Sequence, residues 1–521
     1  MATYSTDLFD LIKALTVAEK AYFKKYAYKQ QTDVKDNPYL RLFDAIDKQE
    51  AYDEEKLIKK LAKEKIAKQF SAAKNYLYNL ILDCIAMYDA TEGNARHKLR
   101  QQIRQIEVLV DRGLREQAAK KAEAARRLLH PDNIINQYSL HIELINLLLE
   151  ILPYKAENFY DRMKLQYEKE HIFLVVSNSQ QYYNLYLKTI YLLYKTGDKQ
   201  LSKHEQYAQE FKEIIEQPLM GDINLALSFN ARLFFCNIWF DYYLWIADYS
   251  KALQYAELQL AQFNTPSLRL GNVQKYMVAY KGVLMALTQL NDVPRFEKTI
   301  QEITDWYEEY GDKIQPESIE TILGCIYGSP FDAFYKWKKY TKAIALIPRM
   351  KIYFADPFAQ RQVATIMHYQ FCIAALYFYA GNYDAALNEL DILLNNKNLE
   401  TLTAYHGYAR ILHLLIHFEL SNDLLLESLG RATYRFLYQH QSDYQVETQV
   451  VRFMRNVSQI PNKRELNIAL KNLRNKLEPL QNEDFEKEAF EVIHYLDWID
   501  SKLANRSMIE WTEQQATQIY Q

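Results

Sequence analysis

The stretch 366–398, IMHYQFCIAALYFYAGNYDAALNELDILLNNKN, decides the fold class of this chain. It holds two amphipathic segments that meet at Gly381, and each has apolar residues at the spacing of a helix. Ala374 precedes this turn and Ala386 follows Gly381 by five positions. Small residues at these places let two helices approach closely. The stretch therefore predicts two packed helices joined by a short turn.

Looser copies of this unit recur along the chain. The pattern is a turn residue followed five positions later by an alanine or leucine. It pairs Gly113 with Ala118, Ala247 with Ala252, Lys338 with Ala343 and, most weakly, Ser421 with Leu426. The last turns of the series, at residues 338, 381 and 421, are roughly 40 residues apart, and a period of 20–50 residues is typical of repeat proteins.

The segment around Gly381 resembles a tetratricopeptide repeat. The residues that carry the resemblance are Ala374, Tyr377, Gly381, Tyr383 and Ala386. Segments around Tyr249 and Tyr340 are less complete copies. The resemblance implies a right-handed α-solenoid of antiparallel helix pairs, in which each pair buries its apolar faces on its neighbours.

The whole chain is predicted to be all-α, in three parts. Residues 1–95 form a helical N-terminal module, residues 96–460 the tetratricopeptide-like solenoid, and residues 461–521 a helical C-terminal cap. With only 12 glycines and 12 prolines, the chain has too few turn residues for a sandwich or barrel. In the cap, the spacing between successive apolar residues alternates between four and three positions. These residues are Phe485, Ala489, Val492, Leu496, Ile499 and Leu503. They predict a closing helix docked on the last repeat, or alternatively a dimer seam.

Charge and cysteine content limit the partners and the cellular compartment that the sequence predicts. The 63 basic and 66 acidic side chains give a net charge of −3, which favours neither nucleic acid nor an anionic membrane as a general partner. The four cysteines are too far apart in sequence to form a zinc or redox pair. No secretion signal and no 18-residue apolar run occurs. We expect a cytoplasmic protein with no membrane partner.

Few residues in the sequence suggest catalysis or metal binding. No glycine-rich phosphate loop and no GxSxG elbow is present. His413 and His417 are four positions apart on a helix, but no glutamate follows His413, so the zincin motif is absent. We therefore expect no enzymatic activity, no cofactor and no metal.

Tyrosine is unusually frequent, with 42 copies, and aromatic residues cluster in stretches 182–195, 232–245 and 334–340. In the resembled family, defined positions on the first helix of each repeat form the concave surface. The resemblance therefore implies a partner-binding stripe, formed by His368, Phe371, Phe378 and Tyr379 in one repeat and by Phe234, Asn237, Asp241 and Trp245 in another. The other interpretation is that these rings pack against each other in the core.

The predicted function is a non-enzymatic protein-interaction scaffold in the cytoplasm that binds a peptide segment or a protein partner. The alternative is a transcriptional or other regulator with a nucleic-acid-binding N-terminal module and a tetratricopeptide-like sensor. In that alternative, Lys68, Lys74 and Asn75 lie near the start of a recognition helix predicted over 68–88. The basic excess of residues 1–100 is slight, so these lysines are also explained as solvated side chains of a helical module.

Overall fold

The computed structural model describes residues 6–29, 37–62, 65–92, 95–129, 137–196, 205–355, 363–395, 403–439, 444–483 and 486–519. Every regular element in these ranges is a helix, so the prediction of an all-α chain is confirmed. Helices within the described ranges are all too short or too polar to cross a membrane. The chain divides into two compact units, Met1–Ser177 and Asn178–Gln521, called unit 1 and unit 2 below.

Unit 1 contains two groups of helices. The first group is α1 (Asp7–Ala14), α2 (Val17–Lys29), α3 (Pro38–Asp47), α4 (Glu54–Lys60), α5 (Lys65–Lys68) and α6 (Phe70–Glu92). Its apolar residues between Leu8 and Cys84 form a core cluster of their own. The second group is α7 (Ala95–Asp111), α8 (Arg115–Arg126) and α9 (Tyr138–Ile151), and it has a separate core. The long helix α10 (Phe159–Thr196) crosses the boundary between the units. The boundary between the units, between residues 177 and 178, differs from the predicted segment ends at 95 and 460. Those segment ends remain predictions.

Unit 2 contains the last part of α10 and the remaining helices. They are α11 (Glu205–Ile215), α12 (Phe229–Trp245), α13 (Tyr249–Ala261), α14 (Pro266–Gly271), α15 (Val273–Leu290), α16 (Val293–Tyr310), α17 (Pro316–Leu323), α18 (Ser329–Lys336), α19 (Tyr340–Ala355), α20 (Val363–Tyr379), α21 (Tyr383–Leu394), α22 (Thr403–Glu419), α23 (Asp423–Gln439), α24 (Gln445–Asn456), α25 (Lys463–Leu477), α26 (Lys487–Val492), α27 (Tyr495–Leu503) and α28 (Met508–Ile519). A π-helical turn, Gly324–Gly328, joins α17 to α18.

Seven turns within the described residues share one backbone geometry. Each is centred on a residue with positive φ: Gly113, Ala247, Asn291, Lys338, Gly381, Ser421 and Asn505. At Gly381, the N–H of this residue bonds to the Phe378 carbonyl and the N–H of Asn382 to the Tyr377 carbonyl, both at 2.9 Å. The same pair of bonds closes the other six turns, and it defines a Schellman motif. All five turn residues predicted from the sequence are confirmed.

The residue five positions after each predicted turn residue is fully buried. These residues are Ala118, Ala252, Ala343, Ala386 and Leu426. Ala374 is also fully buried, and α20 packs directly against α21. The alanines at the Gly381 turn therefore lie at a close contact between two helices, as predicted.

The C-terminal helices differ from the prediction. The apolar pattern suggested one continuous helix, but α26 ends at Val492 and α27 begins at Tyr495. His494 between them has φ −81° and ψ 65°, and the N–H of Tyr495 bonds to the Ile493 carbonyl at 2.9 Å, which makes an inverse γ-turn. Phe485, the first residue of the predicted seam, lies outside the described residues.

The C-terminal helices contact the last predicted repeat, around Ser421, and also an earlier helix. The Tyr335 hydroxyl donates to the Val492 carbonyl at 2.6 Å. Farther along, the Trp498 indole N–H donates to Glu419 at 2.8 Å. Helices α26 and α27 therefore contact residues of α18 and α22.

Candidate functional site

Helix α20 does not present the predicted aromatic stripe to a partner. Phe371, Phe378 and Tyr379 are all buried in the main core cluster of unit 2. The Tyr379 hydroxyl accepts a hydrogen bond from the His494 backbone N–H at 3.1 Å. Because α20 packs against α19, α21 and α22, it is apolar nearly all round and its rings serve as core. These three residues are therefore corrected from a binding groove to the interior.

His368, the fourth predicted residue of α20, belongs to a hydrogen-bond network that joins three helices. Its Nε2 lies 3.1 Å from Asp332 Oδ1 and its Nδ1 lies 2.9 Å from the Tyr405 hydroxyl. The Tyr369 hydroxyl donates to the other Asp332 oxygen at 3.1 Å. Burial lowers the pKa of His368, but Cys372 and the hydrogen-bonded Asp332 outweigh it and raise that pKa well above its usual value. The network links α18, α20 and α22.

Cys372 lies beside His368, and a cysteine next to a histidine can form a catalytic thiol–imidazole pair. Its Sγ lies 3.8 Å from Nε2 and 4.0 Å from Nδ1 of His368, so it approaches both ring nitrogens almost equally. A thiol activated by a base approaches one nitrogen along its lone pair. Both nitrogens already have partners in Asp332 and Tyr405, and Cys372 is buried. The geometry favours a structural cysteine.

The four predicted residues of α12 are half-buried and face the neighbouring helices. The Phe234 ring stacks on Tyr186 with 5.2 Å between centroids, and lies 5.4 Å from Tyr183 of the same helix α10. Asn237 accepts a hydrogen bond from the Gln259 amide at 2.8 Å. These contacts hold α12 against α10 and α13.

Asp241 and Trp245 continue this face of α12. Burial raises the pKa of Asp241 to about 7, so the carboxyl is largely protonated below neutral pH. The Trp245 ring packs on Phe211 at 4.9 Å, and its indole N–H is buried with no hydrogen-bond partner among the described residues. The Trp245 indole N–H is thus an unsatisfied polar group, among the described residues, in an apolar contact.

An exposed apolar stripe lies beside Phe234, on the part of α10 that belongs to unit 2. It is formed by Tyr183, Leu187, Tyr191 and Tyr194, which are 39%, 45%, 56% and 84% exposed. Spacings of four, four and three place them on one side of the helix. We call these four residues the α10 stripe. They fall in the aromatic stretch 182–195, but the resemblance to a repeat directed attention to α12 and α20 instead.

The predicted nucleic-acid residues have different surroundings. Lys68 is exposed at the end of α5, and Asn75 is exposed on α6. Lys74 is ion-paired with Glu54, and its ammonium lies over the rings of Tyr52 and Phe70. An ammonium held this way is not available to a phosphate, so Lys74 is removed from the predicted set, while Lys68 and Asn75 stay a prediction.

The only histidine pair singled out from the sequence is closely packed. Nε2 of His413 lies 3.1 Å from Nε2 of His417, whose Nδ1 is 3.0 Å from the Asn422 amide. Burial lowers the pKa of both rings, that of His413 to about 4, so they are neutral at physiological pH. No group of three or more histidine, cysteine, aspartate or glutamate side chains within the described ranges is placed to hold a metal ion.

A pocket lies beside the turn that joins α18 to α19, between this turn and α28. Its volume is about 400 Å³, and Trp337, Lys338, Lys339, Lys342 and Glu513 are among its lining residues. This is within the range of roughly 300–1,000 Å³ found for ligand sites. The sequence identified the stretch 334–340 at this turn only as rich in aromatic residues.

Comparison with known proteins gave no match: no family model, no curated protein and no solved structure is similar to this chain.

Proposed function

We propose that this protein is a non-enzymatic scaffold of the cytoplasm that binds a peptide segment or protein partner. The α10 stripe carries the proposal. Monomeric soluble proteins rarely expose contiguous apolar surface without a binding role. Tyrosine is enriched at such surfaces because it buries a large area at low entropic cost and keeps a polar tip.

The surface continues from the α10 stripe onto α12. Tyr183 of the stripe contacts Phe234, which was one of the residues predicted from the sequence to contact a partner. A partner lying along α10 would thus meet two helices, which gives more area than a single exposed helix face. Phe234 remains in the proposed site, with the α10 stripe replacing the buried rings of α20.

We further propose that unit 2 is a tetratricopeptide-like α-solenoid of antiparallel helix pairs. The support is the repeated Schellman turn, because the same turn geometry and the same buried position five residues later recur in successive pairs. Solenoids present equivalent helix faces in register, which suits the binding of extended partners. All four cysteines are free and buried, which agrees with a reducing compartment.

The test compares capture by the wild-type chain and by a Tyr191→Ser, Tyr194→Ser variant. Each is immobilised and exposed to lysate of the native host, and the bound proteins are quantified by mass spectrometry. A protein captured by wild type is then purified and titrated against both chains. We expect the variant to bind it at least tenfold more weakly, because two ring anchors are lost.

The matched control is Leu424→Ser, Tyr438→Ser on α23, which also removes two exposed apolar side chains. It should bind the partner as wild type does, and all three chains should melt at the same temperature. Equal affinity of the wild-type and stripe variants for every captured protein would refute the proposal.

A further inference from the structure

Four lysines surround the turn between α18 and α19, and three of them hold carboxylates from other segments. Lys336 pairs with Glu491 at 3.1 Å and Lys342 with Glu297 at 2.9 Å. Lys338 pairs with Asp497 of α27. The turn is thus a row of lysine–carboxylate pairs that ties α18 and α19 to α16, α26 and α27.

Lys339 is the exception in this row. Among the residues that the structure describes, no carboxylate lies within ion-pairing distance of its ammonium. The ammonium lies 5.4 Å from the centroid of the Trp337 ring, and both side chains line the 400 Å³ pocket. Partial burial, and secondarily the neighbouring Lys342, lower the pKa of Lys339. Glu297 acts on Lys339 from a longer range and in the opposite direction, so the ammonium has no direct carboxylate partner among the described residues but is not isolated from negative charge.

The backbone beside Lys339 adds to this excess of positive charge. In three equivalent turns, the residue after the positive-φ position is Asp248, Asp292 or Asn382, and its side chain caps the following helix. Lys339 occupies that position before α19 and has no acceptor to offer. The first N–H groups of α19 consequently lack the side-chain cap that these three turns supply, and the macrodipole has no aspartate at this position, unlike the turns at Asp248 and Asp292.

We propose that this pocket binds the side chain of an aspartate or glutamate in a peptide partner, with Lys339 as its ion-pair partner and Trp337 as the apolar wall beside it. The inference rests on the proposed peptide-binding function, and it places a second, acid-specific contact outside the α10 stripe. A carboxylate would complete the row as the fourth lysine–carboxylate pair. The pocket would thereby select peptides by charge, whereas the α10 stripe offers mainly apolar contact.

The charges around the pocket favour a carboxylate over a phosphate group. Asp497 and Glu513 also line it, and a doubly charged phosphate would be repelled by both. A singly charged carboxylate meets half that repulsion and still forms a charge-assisted hydrogen bond with the ammonium. The ligand class is therefore an acidic peptide segment without phosphorylation.

The experiment uses a phage-displayed library of random heptapeptides selected on the immobilised full-length chain. Enriched peptides are synthesised and their affinities measured by fluorescence polarisation. We expect an aspartate or glutamate next to an apolar residue to be enriched. Lys339→Gln should lower the affinity for these peptides about tenfold. Lys339→Glu should instead select peptides with lysine or arginine at the position of the acidic residue. Raising the salt concentration should weaken binding to wild type more than to Lys339→Gln.

Lys251→Gln is the matched control, because Lys251 also follows a Schellman turn and lies over a ring, that of Tyr243, but already pairs with Asp248. It should leave the affinities unchanged. The proposal would be overturned if the selection enriched no peptide or only peptides without acidic residues. It would also be overturned if the enriched acidic peptides bound Lys339→Gln as tightly as wild type. The stripe variant Tyr191→Ser, Tyr194→Ser should retain these peptides, so failure at the pocket and failure at the α10 stripe are distinguishable.

Discussion

The hydroxyl of Tyr340 forms a hydrogen bond with Nδ1 of His494, although 154 residues separate the two. The same imidazole stacks on the ring of Tyr379 with 5.6 Å between centroids. Burial, and secondarily the nearby Lys338, lower the pKa of His494 to about 3. His494 is therefore a neutral imidazole inside an aromatic cluster that joins the C-terminal helices to α19 and α20.

The first prediction follows from this neutral histidine. The pKa of His494 is about 3 when folded and near 6.5 when unfolded, so between these values only the unfolded chain takes up the proton. Stability should fall as the pH is lowered through this window, by up to about 1.4 kcal/mol per pH unit from this residue. His413 contributes in the same direction.

Thermal unfolding of wild type and His494→Gln between pH 7 and pH 5 measures the effect. Glutamine keeps an acceptor but does not titrate, so the variant should lose less stability on acidification than wild type. The exposed His171 provides the control change His171→Gln, which should leave the slope unaltered. Identical slopes for wild type and His494→Gln would show that His494 is not held neutral.

The second prediction concerns the helix contact at the Gly381 turn. Ala374→Leu and Ala386→Leu should each lower the free energy of unfolding of unit 2 by roughly 1–3 kcal/mol, because the larger side chain forces α20 and α21 apart. Urea denaturation of each variant gives the value. Ala380→Leu, at an exposed position of the same turn, should change it by less than about 0.5 kcal/mol. If Ala374→Leu and Ala386→Leu were both as stable as wild type, these alanines would not lie at a contact between α20 and α21.

The third prediction compares two turns that have the same geometry but different residues. Gly381 has φ +73°, and a Cβ added there meets no atom within 4 Å. Gly381→Ala should therefore cost only the conformational strain of positive φ, about 1 kcal/mol. Ala247 has φ 59°, so Ala247→Gly should relieve similar strain and raise the melting temperature. Shifts of the same sign in the two variants would argue against a common turn geometry.

The fourth prediction concerns Asp241. Its pKa is about 7 when folded and near 3.9 when unfolded, so between these values the folded chain holds the proton and the unfolded chain releases it. Stability should consequently fall as the pH rises through this window. Asp241→Asn resembles the protonated form, and we expect it to be more stable than wild type by at least about 1 kcal/mol at pH 8 and nearly equal to it at pH 4.

Melting curves at these two pH values test the prediction. Asp83→Asn, at an exposed position within α6, serves as the control and should show no such difference between pH 8 and pH 4. A variant that is less stable than wild type at pH 8 would mean that the ionised carboxylate is stabilised where it lies.

Local sequence predicted the turns of this chain well, because a Schellman motif depends on a few consecutive residues. The turn at Asn291 was missed because Phe296, not an alanine, stands five positions later, although Phe296 is buried as the pattern requires. The break at His494 could not be predicted. The apolar spacing on both sides is that of a continuous helix, and the side chains that bond to His494 at the break, Tyr340 and Tyr379, are far away in sequence.

The candidate site was predicted less well than the fold. Helical spacing identifies which side of α20 carries Phe371 and Phe378, but not whether another helix covers that side. The structure buries those rings against α19, α21 and α22. Phe234 is half-buried beside the α10 stripe and stays a prediction. The α10 stripe was overlooked because α10 contains no turn that resembles a repeat. Exposure is a tertiary property, and only the packed neighbours decide it.

The contacts of the C-terminal helices have a consequence for synthesis. Helix pairs joined by short turns can fold as soon as they leave the ribosome, since their contacts are local. The hydroxyls of Tyr335 and Tyr340, however, find their partners at Val492 and His494, which are made more than 150 residues later. At about 5–20 residues per second, that delay is roughly 8–30 s. During this time the nascent helices expose hydroxyl groups and ring faces that a chaperone could bind, so unit 2 reaches its final packing only after residue 494 emerges.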